Sequence, residues 1–130
     1  MAAETTALAL AALLQAGQIA LAGAVMNRDV GARWNAGPRD DQPSFSALTG
    51  RLRRAANNHF EGLILFTIAV VVVVLGDAGS PLTAACAWLY LLARIVYVPA
   101  YALGWTPWRS VIWGVGFLAT MTMILSALMK

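Results

Sequence analysis

Apolar residues fill four stretches of the chain, and a helix that crosses a membrane needs about 20 of them in a row. The first stretch, residues 5–26, is interrupted only by Gln15, Gln18 and small residues. The second apolar run, Gly62 to Leu75, has only 14 residues, about 21 Å of helix against a hydrocarbon core of about 30 Å. To span, it must extend backwards through Glu61, Asn58 and Arg54, which predicts a helix over 47–75 with polar residues drawn into the bilayer. A third helix is expected over 81–103. Ser80 offers a cap, Pro81 suits the first helical position, where no N–H is needed, and Pro99 should bend the last turns. Thr106-Pro107 repeats the cap signature and predicts a fourth helix over 107–129. The expected fold class is all-α, an integral membrane four-helix bundle in one domain, residues 1–130.

Composition supports this picture. The chain is 60% hydrophobic and 12% charged, about half the charged share of a soluble domain, with a mean hydropathy of +0.70. A disordered tail, a coiled coil and most water-soluble enzymes are excluded, and no nucleic-acid partner is expected. Residues 5–26 are not read as a cleaved signal, because Glu4 stands where a positive segment is needed and the apolar run is too long. The single cysteine, Cys86, cannot form an internal disulfide and reads as a small packing residue. Charge matters through its placement: six of the nine basic residues lie between Arg28 and Arg54. Basic segments between spans stay on the cytoplasmic side, so the loop carrying Arg28, Arg33 and Arg39 is expected inside and both termini outside.

The polar residues within the spans fall on stripes. Arg51, Arg54, Asn58 and Glu61 are spaced +3, +4 and +3, and Tyr90, Arg94, Tyr97 and Tyr101 are spaced +4, +3 and +4. Each set occupies one helix face, and an intramembrane charge is by default a functional residue. Counted from the outer helix ends at about 1.5 Å per residue, Glu61 lies about 21 Å deep and Arg94 about 20 Å. The two are therefore expected to pair, relieving the desolvation of each. With Arg109 at the foot of the fourth helix, these residues describe a polar pocket open to the cytoplasmic half of the membrane. Guanidinium groups, one carboxylate, an amide and phenols suit a ligand with several carboxylates and one ammonium. Other polar residues have plainer readings. Arg51 and Arg53 suit an interfacial anchor on lipid phosphates, and the tryptophans an interfacial belt. Gln15 and Gln18 suit hydrogen bonds between helices. His59 is about 100° or more from the Asn58–Glu61 stripe and has no second His or thiol near it, so no metal site is expected.

Arg54-Ala55-Ala56-Asn57-Asn58-His59-Phe60-Glu61 reads R-A-x-x-N-x-x-E, followed by Arg94-x-x-Tyr97-x-x-x-Tyr101 and by Arg109-Ser110 with Trp113. With these motifs in order, the chain resembles the MAPEG family, the membrane-associated proteins of eicosanoid and glutathione metabolism. Gly37-Pro38-Arg39-Asp40 ahead of the first motif is most similar to a bacterial branch, which implies the inner membrane. The resemblance implies a homotrimer, embedded in lipid, that binds glutathione as cosubstrate between subunits near the cytoplasmic side. It implies glutathione contacts for Arg54, Asn58, Glu61, Arg94, Tyr97 and Tyr101, with Arg28 offered by the neighbouring subunit. It assigns thiolate stabilisation to Arg109 and Ser110, with Tyr101 as a further catalytic candidate. Asn57 departs from the prostaglandin E synthase-like pattern, where another Arg stands.

The implied function is a glutathione-dependent membrane enzyme of transferase or peroxidase type, acting on a lipophilic small-molecule electrophile or hydroperoxide. Glutathione, with two carboxylates, one ammonium and a thiol, matches the ligand profile read from the stripes. Two other classes remain open at this stage. A noncatalytic lipid-binding or structural protein has the same fold, because fold does not fix function. A small multidrug-type transporter also has four short helices and a membrane carboxylate. Its acid usually lies in the first helix, where this chain has none.

Overall fold

Two serines start the two central helices. In the computed structural model, which describes residues 1–41 and 43–130, the helices are α1 (Ala3–Val30), α2 (Ala32–Ala36), α3 (Ala47–Leu75), α4 (Pro81–Ala102) and α5 (Trp108–Leu128). The Ser46 hydroxyl accepts from Thr49 N and starts α3. Ser80 and Thr83 cap α4 reciprocally, each side chain accepting from the other's backbone N–H, with Pro81 at the first helical position. α1, α3, α4 and α5 are long and apolar enough to cross a membrane. The chain is all-helical among the described residues, and the four long helices form the bundle.

α3 and α4 touch each other, and both α1 and α5 touch each of them. α1 and α5 do not meet. The α3–α4 pair is therefore the middle of the bundle. α1 approaches it with a narrow buried stripe, Ala7, Ala11, Gln15, Gln18, Ala22 and Met26, in which small side chains let the backbones come close. The apolar core is built from Phe66, Ala69, Val70 and Val73 of α3, Cys86, Ala87 and Leu91 of α4, and Ala119 and Met123 of α5. Gln15 donates from Nε2 to the Ala56 carbonyl of α3 at 3.2 Å, as an interhelical hydrogen-bonding group should.

Charged residues fasten both ends. At one end, buried Glu4 accepts from Thr83 Oγ1 at 2.5 Å. Its carboxylate lies beside the start of α4, where the helix dipole favours a negative charge. At the other, Asp29 Oδ2 accepts from Ser46 N at 2.9 Å, from Ser46 Oγ at 2.7 Å and from Thr49 Oγ1. That bond set extends α1 to Val30, four residues past the expected end at 26, and ties it to the first turn of α3. The loop between them holds the one-turn helix α2, whose Asn35 accepts from Arg39 Nε through its carbonyl at 2.8 Å. Thr106 does not cap the last helix. Its hydroxyl donates back to the Gly104 carbonyl at 3.3 Å, and α5 begins at Trp108. Pro99 lies inside α4, which continues to Ala102.

Candidate functional site

The floor of the site is the inward face of α4. Tyr90, Arg94 and Tyr97 are each 2% exposed. Arg94 crosses to α3: its Nε donates to His59 Nδ1 at 3.2 Å and its Nη1 to Asn58 Oδ1 at 3.1 Å. His59, fully buried, places Nε2 3.0 Å from the Ala11 carbonyl of α1. A carbonyl can only accept, so the Nε2–H tautomer donates to it, and the Nδ1 lone pair is left to accept from Arg94. Three helices are thus joined by one chain of hydrogen bonds, from Ala11 through His59 to Arg94 and Asn58. The guanidinium also lies 4.4 Å from the centre of the Tyr97 ring, a distance suited to cation–π attraction.

The expected pairing of Glu61 with Arg94 does not occur. Arg94 uses two nitrogens on His59 and Asn58, and its third, Nη2, has no hydrogen-bond partner among the described residues. Glu61 is exposed on the surface of the protomer. The cause is the orientation of α3. Its buried face runs through Leu52, Ala55, Ala56, His59, Phe66 and Val73, and the polar stripe lies beside that face rather than on it. The two stripes meet where Asn58 bonds Arg94 and Arg54 bonds Tyr101, and they part at Glu61.

Nearer the basic loop, the remaining residues gather around Tyr101. Arg54 Nε donates to the Tyr101 hydroxyl at 3.0 Å. The Arg54 and Arg109 guanidiniums lie 5.7 Å and 4.7 Å from the Tyr101 ring centre, and Tyr97 meets it edge-on at 5.7 Å. Arg51 donates to the Ala102 carbonyl at 3.4 Å, which fastens α3 to the end of α4 and departs from a pure lipid anchor. Asn58, Tyr97, Arg109, Ser110 and Trp113 line one cleft of about 170 Å³. Glu61 and Arg94 line a neighbouring groove, and Trp113 is shared by both. Arg28 stands exposed on α1 and lines neither hollow. Of the expected residues, Asn58, Glu61, Arg94, Tyr97, Arg109 and Ser110 line two adjoining hollows, Arg54 and Tyr101 pair beside them, and Arg28 stands apart.

A model of the MAPEG family matches residues 7–129. The chain belongs to the MAPEG family. With its four helices long and apolar enough to span, it is a multi-pass integral membrane protein. The family includes glutathione transferases and peroxidases. Comparison with curated proteins and with solved structures gives no match. The donor set of this MAPEG chain fits glutathione. Arg54 offers a fork for a carboxylate, Glu61 offers an anion for the ammonium, and the Arg109 guanidinium and Ser110 hydroxyl lie together on the cleft wall.

Two residues of the site were not singled out by periodicity. His59 lies off the polar stripe, and that offset puts it in the core against Arg94. A histidine in the register of Leu52, Ala55 and Phe66 is the signal that finds it. Trp113 was read as a belt residue. It is exposed and stacks on Phe117 at 5.1 Å, forming a wall common to both hollows.

Proposed function

We propose that this MAPEG chain is a glutathione-dependent membrane enzyme of transferase or peroxidase type, acting on lipophilic electrophiles. The observation that carries the reading is the clustering of Arg54 and Arg109 on the Tyr101 ring, beside a cleft walled by Asn58, Tyr97 and Ser110. Glutathione supplies a thiol, which is mostly protonated at neutral pH and reacts as the thiolate. Arg109 and Ser110 favour that anion, one by charge and the other by donating a hydrogen bond. Arg54, Asn58 and Glu61 hold the peptide's charged ends, Tyr97 and Tyr101 line its path, and Arg94 braces the floor. Conjugation and peroxide reduction both begin from the held thiolate. An electrophile dissolved in the bilayer reaches it without entering water.

Arg54 and Glu61 are exposed at the edge of this site, and a homotrimer that closes the site between subunits accounts for it. Arg28, remote from both hollows of its own protomer, is then offered to the neighbour. The reading is tested by equilibrium dialysis of purified protein in detergent against glutathione. Saturable binding at millimolar concentration or below is expected. No binding to the wild type overturns the enzyme reading in favour of a lipid-binding protein of the same fold.

The proposed orientation puts the basic loop in the cytoplasm, in a bacterial inner membrane. Single cysteines at Ser44 and Gly79, both exposed, in a Cys86→Ala background report on it. An impermeant maleimide added to intact cells is expected to label position 79 and spare position 44. The reverse pattern overturns the orientation.

A further inference from the structure

The hydrogen bonds that lead from α1 to the cleft can run in one order only. At one end stands the Ala11 carbonyl, which accepts and cannot donate. At the other stands the Arg94 guanidinium, which donates and cannot accept. His59 lies between them with both ring nitrogens engaged, 3.0 Å from the first and 3.2 Å from the second. A proton on Nδ1 would set N–H against N–H at Arg94. A bare Nε2 would set lone pair against lone pair at Ala11. His59 is fully buried, so solvent relieves neither clash.

The order continues past Arg94. Its Nε and Nη1 form a planar fork that takes one acceptor from each of two successive residues of α3, His59 and Asn58. The Asn58 atom that meets a guanidinium must be the amide oxygen. The amide nitrogen is then turned away from Arg94, has no acceptor among the described residues, and stays accessible. Asn58 is half-buried, and the cleft it lines also holds Arg109 and Ser110. We propose that His59 is a positioning residue of the glutathione site: through Arg94 it holds the Asn58 amide with its NH2 toward the cleft, a donor to an anionic group of glutathione. Each hydrogen bond polarises the next, so the tautomer set by Ala11 in α1 is felt at the ligand as a fixed donor. The role rests on the glutathione reading. The order of the hydrogen bonds does not.

Two near-isosteres separate positioning from support. Asn places an oxygen where Nδ1 stands and loses the reach to Ala11. Gln places a nitrogen where Nε2 stands and loses the acceptor for Arg94. Each gives up one hydrogen bond, so His59→Asn and His59→Gln are expected to lower Tm alike. In equilibrium dialysis of the detergent-solubilised full chain, His59→Gln is expected to bind glutathione about fivefold more weakly than the wild type, and His59→Asn within about twofold. Asn58→Asp keeps one oxygen for Arg94 and turns a second toward the cleft, and is expected to lose at least about tenfold in affinity with no fall in Tm. His59 is the chain's one histidine. Isotope labelling of histidine nitrogen, in protein purified through a histidine-free tag, therefore reads a single ring by NMR, with its proton expected on Nε2. Equal glutathione affinity in the two His59 variants overturns the proposal, as does wild-type affinity in Asn58→Asp or a proton on Nδ1. Should a His59 variant not fold, Asn58→Asp and the ring proton decide. A wild type that binds no glutathione overturns the enzyme reading and this role together, whereas a wild type that binds it while the variants behave otherwise than stated overturns the role alone.

Discussion

Arg109→Ala is expected to lower turnover by about 10²–10³-fold while glutathione affinity falls far less. In the proposed site, binding is spread over Arg54, Asn58, Glu61, Tyr97 and Tyr101, whereas thiolate stabilisation falls to Arg109 and Ser110 on the cleft wall. A guanidinium near a thiol favours the anion, and its removal returns the thiol toward its ordinary value of about 8.5. The sign follows directly: without Arg109 the thiolate fraction at neutral pH drops, and the rate profile moves to higher pH. Two measurements separate this from a loss of folding. Thiolate absorbance of bound glutathione should be strong in the wild type at neutral pH and weak in Arg109→Ala. Raising the pH should restore the variant's rate by much of what was lost. Ser110→Ala is the companion, since its hydroxyl can stabilise the same anion. If glutathione binds and neither substitution changes its ionisation, the stabilising role passes to Tyr101, which Arg54 already contacts.

The helical period identified each stripe correctly but not the direction in which each stripe faces. Tyr90, Arg94, Tyr97 and Tyr101 do share one face, and on α4 that face turns inward. Arg54, Asn58 and Glu61 also share a face, which on α3 borders the buried one, so that Arg54 and Asn58 reach Tyr101 and Arg94 of α4 while Glu61 stays exposed. A repeat of 3.6 residues fixes which side chains are neighbours along a helix. It leaves open which neighbour the whole face meets. That choice is made by packing, here where Ala11 and Gln15 of α1 meet His59 and Ala56 of α3. The caps were legible where a side chain makes them, as at Ser80, and misleading at Thr106, whose hydroxyl turns to the Gly104 carbonyl instead. The α1 extension to Val30 was hidden, because it depends on Asp29 meeting Ser46 and Thr49 from 17 and 20 residues away in sequence.

The largest effect on stability is expected at His59 rather than at Glu61. His59→Leu removes the acceptor for Arg94 Nε and the donor to the Ala11 carbonyl in one step, in a place closed to solvent. Stranding one donor of a buried guanidinium, which keeps only its bond to Asn58, costs upwards of about 3 kcal/mol. Arg94→Leu removes the charge itself but strands the His59 Nδ1 lone pair and the Asn58 carbonyl oxygen, a smaller loss of about 1–3 kcal/mol. The double substitution leaves only the Ala11 carbonyl and Asn58 unsatisfied. It is therefore expected to be less damaging than the sum of the singles by about 1–3 kcal/mol, measured as unfolding free energy in detergent. Glu61→Gln combined with Arg94→Leu gives the contrast. Glu61 touches neither Arg94 nor His59 within the protomer, so those two effects should add to within about 0.5 kcal/mol. Strict additivity for His59 with Arg94 would mean that the 3.2 Å contact carries no coupling. Strong coupling of Glu61 with Arg94 would mean instead that the carboxylate turns in to meet Nη2.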